Sequence, residues 1–213
     1  MKLFLLLACL VLAAVSSASV VSKKVYDFAS YFIGAFDNEY QTQQPGDNHP
    51  FIQVRNVPVD TECFRKNPVL SGEVAIKGVI RDFLLMVVNE GIDDTVSLAI
   101  YNYANQSNYK PGEFNVTNFS NMSCEDFHEV EDCTPSYRVA DGYIFGNFPQ
   151  CGHTVRGEHP RYTVMHTCNS VTLTTPQNAG QPSPTEPYEL LNKAKYPLIN
   201  PPKGYVAPCR PKI

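Results

Sequence analysis

The chain has 213 residues, of which 43% are hydrophobic and 18% charged, with a formal net charge of -4. It is too apolar and aromatic for a disordered chain, and it lacks the basic excess of a nucleic-acid or anionic-membrane binder. Its 12 glycines follow no period, which excludes collagen, and the length suits one domain with a tail.

Residues 1–18 read as a secretory signal peptide. Met1-Lys2 is followed by an apolar run over residues 3–15 and by the small residues Ser16-Ser17-Ala18. The run is shorter than the about 20 residues a membrane span needs, and no later stretch approaches that length. The chain is therefore expected to be secreted or to reside in the secretory-pathway lumen.

Cysteine usage agrees. Cys9 leaves with the leader, and Cys63, Cys124, Cys133, Cys151, Cys168 and Cys209 remain. An even number in an exported chain predicts disulfides. Glycosylation sequons begin at Asn105, Asn115, Asn118 and Asn121, and the last three crowd into residues 115–123, as in an exposed loop.

Val25, Phe28, Ala29, Phe32, Ile33 and Phe36 form the apolar stripe of an amphipathic helix ending near Asp37-Asn38. The period then changes to two. Strands are predicted over residues 51–59, over an apolar stretch at 74–88 broken by Gly78 and Arg81-Asp82, and over 95–103. In the last, Val96, Leu98 and Ile100 alternate with Ser97, Ala99, Tyr101 and Tyr103. Residues 105–122 read as loop. Ser123 and Asp126 suggest a capping-box start to a short helix ending near Asp132.

Asp141-Gly142 between residues 136–140 and 143–145 predicts a tight hairpin. Its register sets Cys133 opposite Gln150, one residue from Cys151, so a Cys133–Cys151 disulfide is expected. Further strands are predicted over 153–156 and 161–168, with another at 170–175. Nine of the 17 prolines fall between Pro176 and Pro211, so residues 176–213 read as an irregular Pro-rich tail, with 177–187 as linker and Cys209 stapling the tail to the body. The fold class is mainly β: eight or so antiparallel strands closed into a calyx-like barrel, with an N-terminal amphipathic helix and one short inserted helix. A barrel of that size can hold one small ligand.

No serine-hydrolase, zinc-protease or phosphate-loop motif is present. His166-Thr167-Cys168 is the nearest approach to a metal pair, and in a disulfide-rich exported chain no metal site is expected. Asp93-Asp94 and Glu131-Asp132 read as solvated loop carboxylates. Arg55, Arg81 and Arg138 interrupt strands. An inward-facing arginine would need an anionic partner such as a ligand carboxylate, and Tyr101 and Tyr103 on one strand face could stack on a flat conjugated ligand.

The order of segments resembles the CpcT/CpeT chromophore lyase family over residues 25–175. The resemblance rests on Tyr31-Phe32-Ile33-Gly34-Ala35-Phe36-Asp37-Asn38-Glu39-Tyr40-Gln41, on residues 51–59 with Arg55, on Arg81-Asp82-Phe83-Leu84, on residues 96–103, and on Cys133 and Cys151 around a hairpin. It implies a barrel domain at 19–175, often dimeric, that binds an open-chain tetrapyrrole (bilin) and promotes its thioether attachment to a cysteine of an acceptor protein. It implies Arg55, Arg81, Tyr101 and Tyr103 as pocket residues. No cofactor is expected; the bilin is ligand or substrate. The family's C-terminal acidic-arginine-glycine segment has no counterpart in the tail. The alternative reading is a non-catalytic secreted carrier of a bilin or another apolar small molecule.

Overall fold

The computed structural model describes residues 21–103, 110, 112–154, 157–159, 161–174 and 186–210, with backbone alone at 80–82, 152–154 and 157–159. The predicted leader at 1–18, the Asn105 sequon, the predicted linker as far as residue 185 and the Arg81 side chain lie outside the described residues.

The elements run in the order α1 (Lys23–Phe32), β1 (Gly34–Asp37), α2 (Glu39–Thr42), β2 (Ile52–Val59), β3 (Val69–Ile76), β4 (Val79–Glu90) and β5 (Val96–Tyr103). After a long connection come β6 (Phe127–Glu129), β7 (Ser136–Ala140), β8 (Tyr143–Phe148), β9 (Cys151–Thr154), β10 (Gly157–His159), β11 (Tyr162–Thr167), β12 (Ser170–Thr174) and β13 (Tyr188–Ala194). Ten of these strands form a closed antiparallel barrel in the order β4-β3-β2-β1-β13-β12-β11-β8-β7-β5, with β5 pairing back to β4. Closure leaves no free edge among them. β6 adds to the end of β5, and β9 and β10 form a separate two-stranded sheet.

The opening stripe is helical only as far as Phe32. Ile33 is extended, and Gly34 starts β1 at φ 155°. A Cβ at Gly34 would lie 2.7 Å from the Phe36 ring and 2.9 Å from Asn192 Nδ2, so only glycine lets the chain turn there between helix and barrel. Phe36 keeps the predicted burial but in a strand: β1 is two-residue periodic, and its inward positions happen to continue the helical stripe.

The apolar stretch predicted at 74–88 is a hairpin whose first strand begins earlier, at Val69. Lys77 and Gly78, at φ 51° and 73°, make its turn. Val74 faces Asp82 while Ala75 faces Ile80, which leaves Arg81 as the extra residue of a β-bulge. β4 is apolar on both sides because both are covered. Leu84, Met86 and Val88 face the barrel core, whereas Phe83, Leu85 and Val87 lie under the connection that carries Phe114, Phe119 and Phe127. The Cys63–Cys124 disulfide, Cα atoms 5.4 Å apart, ties that connection down.

The inserted helix is a single 3-10 turn, Cys124–Asp126. The capping box forms as read, with the Ser123 backbone N–H donating to Asp126 Oδ2 at 2.8 Å, but Phe127 at once enters β6 to reach the outer core. The hairpin register is the predicted one, Ala140 opposite Tyr143, and the Cys133–Cys151 disulfide is present with Cα atoms 5.0 Å apart.

The tail is the main departure from the sequence reading. Residues 188–194 are not irregular: β13 fills the barrel between β1 and β12, with Tyr188 and Leu190 buried. The barrel domain therefore runs past residue 175. Beyond β13 the chain lies over the outer side of α1. Tyr205 Oη donates to Asp27 Oδ1 at 2.9 Å, Ser30 Oγ donates to the Cys209 carbonyl at 3.0 Å, and Cys168–Cys209 anchors the segment as the staple reading expected. Helix α1 is thus buried on both sides, its Val25, Phe28, Ala29 and Phe32 set into the barrel core.

Candidate ligand cavity in the barrel

Because α1 fills only part of the barrel, a cavity of about 190 Å³ remains between two walls. One wall comes from β2, β3 and β4, including Val54, Val74, Leu84 and Met86. The other comes from β8, β11, β12 and β13, including Phe148, Val164, Val171 and Leu173. Inward positions on a β-strand recur every second residue, which is why Ile52, Val54 and Asn56 share the cavity while Gln53, Arg55 and Val57 do not.

The deep end is built on Phe32. Its carbonyl accepts from Asn56 Nδ2 at 3.1 Å, and its ring stacks on His166 with centroids 4.6 Å apart. Gly72 lies beside them: a Cβ there would lie 2.6 Å from the end of Met86 and 3.3 Å from Asn56 Oδ1, so the bare backbone leaves the room. Toward the other end, Val74, Ile76, Tyr162 and Leu173 are only half-buried, which marks the mouth. Phe148 and Tyr162 stack there with centroids 5.0 Å apart. Tyr188 packs edge-on against His49, whose ring bonds Asp47 Oδ2 and the Glu186 carbonyl, both at 2.9 Å.

Among the described lining residues none carries a charge, and the polar groups are Asn56, Tyr162, His166 and Tyr188. His166 is 3% exposed, and its Nδ1 has no hydrogen-bond partner among the described residues. Burial pushes its pKa down to about 3, and the nearby Lys195 charge adds to the effect. The imidazole is therefore neutral across the physiological range. Lys195 is not in the cavity. Its ammonium donates to the Ser30, Tyr31 and Ile33 carbonyls, the last at 2.6 Å, and so caps the C-terminus of α1. Burial pushes its pKa down to about 8.

The arginine and tyrosines expected to line the pocket are on the other side of the sheet. Arg55 Nη2 donates to Glu73 Oε2 at 2.9 Å, directly across the β2–β3 pair, and to the Phe114 carbonyl at 3.3 Å. Glu73 Oε1 also accepts from the Gly112 N–H at 2.8 Å, so a carboxylate of the protein itself partners this guanidinium. Tyr103 is buried in the outer aromatic cluster, 4.9 Å from Phe119 and 5.6 Å from Phe83. Tyr101 tilts over Phe64 at 4.8 Å, with its hydroxyl 3.5 Å from Glu129 Oε2. Arg55 and Tyr103 thus meet around Phe114, outside the barrel, and Arg138 is exposed. Asn115, Asn118 and Asn121 are exposed on or beside the 3-10 turn Val116–Asn121.

Sequence alone pairs His166 with Cys168, two residues on, and does not point to a place in a ligand cavity. The usable signal was its spacing from Val164, which put both on one face of the strand. Cys168 is instead bonded to Cys209, and among the described residues no three His, Cys, Asp or Glu side chains gather as a metal site. Among the same residues, no helix is long and apolar enough to cross a membrane.

No protein-family model and no curated protein sequence matches the chain. A solved structure, the selenomethionine CRL protein of Arabidopsis, is similar to it, with a TM-score of 0.54, 12% sequence identity, and 80% of this chain and 98% of that chain covered. At that identity the likeness is one of fold alone.

Proposed function

We propose that the protein is a carrier that holds an apolar small molecule inside its barrel. The observation that supports this reading is the apolar cavity of about 190 Å³ with a half-buried mouth and no charged lining among the described residues. A dry apolar cavity of about 150 Å³ takes up benzene, whereas drug-sized ligands need about 300–1,000 Å³. The volume therefore suits a ligand of one or two rings. A secretory location fits the three disulfides, the leader-like residues 1–18 and the exposed sequons at Asn115, Asn118 and Asn121.

A second reading is a bilin-handling protein, with or without attachment to an acceptor cysteine. It draws on the resemblance of segment order and on the stacked Phe148–Tyr162 pair at the mouth, which offers a flat face to a conjugated ring. The propionates of a bilin would have to stay outside, because no cation lines the described cavity. The six cysteines at 63, 124, 133, 151, 168 and 209 are paired, so any thioether would form on an acceptor protein.

Calorimetric titration with naphthalene tests the first reading, and absorbance titration with biliverdin the second. Saturable 1:1 binding of naphthalene is expected. Absence of saturable binding by naphthalene and by both naphthols sinks the carrier reading, and a red-shifted, saturable biliverdin spectrum moves the conclusion to the second.

A further inference from the structure

The cavity has one feature that a purely greasy container does not need. His166 is placed by β11 opposite Ile144 and Val171, among apolar side chains, and its ring is fixed by stacking on Phe32 and by edge contact with Phe36 at 6.0 Å. A buried imidazole nitrogen without a partner destabilises a folded protein, so an aliphatic side chain here would be the more stable choice. Asn56, the other polar group at the deep end, is held by the Phe32 carbonyl. His166 differs in that its buried Nδ1 has no hydrogen-bond partner among the described residues.

Resting on the carrier reading, we propose that the cavity recognises a neutral ligand of one or two rings carrying one hydroxyl, carbonyl or ring nitrogen, which is hydrogen-bonded to the His166 imidazole. A neutral imidazole offers one donor and one acceptor, so it serves an alcohol, a phenol or a ketone alike. An anion is excluded on the same ground as an unpaired buried charge: the described wall supplies no cation. Lys195 does not alter this, because its three donors are directed to α1 carbonyls. The deep end near Phe32 takes the polar atom, and the Phe148–Tyr162 end takes the apolar remainder.

The test compares naphthalene, 1-naphthol, 2-naphthol and 1-naphthoate on the full-length protein by calorimetry. The better naphthol is expected to bind about fivefold tighter than naphthalene, and the naphthoate not detectably. In His166→Phe the order inverts: the naphthols weaken at least tenfold more than naphthalene does. His166→Gln, which keeps a donor and an acceptor, restores part of the naphthol preference. If naphthalene binds wild type but the naphthols bind no better, or the naphthoate binds equally, the hydrogen-bond assignment is wrong while the carrier reading survives. If no ligand of the set binds, both fail. Should His166→Phe not fold, the ranking of the four ligands on wild type and on His166→Gln decides.

Discussion

Val164→Phe tests the cavity from the protein's side. Val164 is buried in the middle of β11, opposite Leu173 on β12 and opposite Gly146 on β8, a position with no side chain of its own. At about 24 cal/mol per Å³ of unfilled volume, the 190 Å³ cavity corresponds to about 4–5 kcal/mol of stability that denser packing would recover. The substitution adds roughly four carbons, or about 3 kcal/mol of transfer free energy at about 0.8 kcal/mol each. Strain from a larger ring in a formed core offsets about 1–3 kcal/mol. The expected net is a gain of about 1 kcal/mol, a rise in Tm of about 2–4 °C, with naphthalene affinity lost by tenfold or more. Urea denaturation and calorimetry on the same preparation read both quantities. A loss of 2 kcal/mol or more with naphthalene affinity intact would refute the cavity as the binding site.

Three further outcomes are expected. His166 binds a proton readily only when unfolded, its folded pKa of about 3 lying below the ordinary 6.5. Between those values the unfolded state carries the extra proton, so stability is full above pH 6.5 and falls as pH drops toward 3, by up to on the order of 4 kcal/mol. The difference between urea-melt series for wild type and His166→Phe isolates this part, and parallel pH curves would remove it. Replacing both Cys168 and Cys209 by serine frees the segment over α1 and is expected to cost about 4 kcal/mol in denaturant melts, from a closed loop with sequence separation 41. Glu73→Ala leaves the half-buried Arg55 guanidinium and the Gly112 N–H without their carboxylate and is expected to cost about 3 kcal/mol. Arg55→Ala also destabilises but leaves naphthalene affinity unchanged, because the guanidinium lies across the sheet from the cavity; a tenfold loss of affinity would contradict that placement.

What could be read from the sequence depended on how many faces of each element are covered. The early part of α1, β5 and the β7–β8 hairpin have clear periods, and Asp141-Gly142 fixed a register that led to the Cys133–Cys151 pair. β2 and β4 are covered on both sides, by the barrel core and by the connection carrying Phe114 and Phe119. Alternation there says that Arg55 and Val54 part company, not which of them looks inward. The same ambiguity turned Tyr101 and Tyr103 toward the wrong core. β13 was hidden by its setting: Pro187 and Pro197 flank a seven-residue strand whose own burial alternates. The cavity itself had no sequence signal, since it arises from helix and barrel being mismatched in size.

Strand β13 is also the seam of the barrel. Its partners are β1, almost at the beginning of the described chain, and β12. Until residues 188–194 leave the ribosome, β1 and β12 each present a raw row of backbone donors and acceptors, and the cylinder stands unzipped. Such late, long-distance closure is slow. A chain cut short before this strand would yield not a smaller barrel but a split cylinder with two adhesive borders.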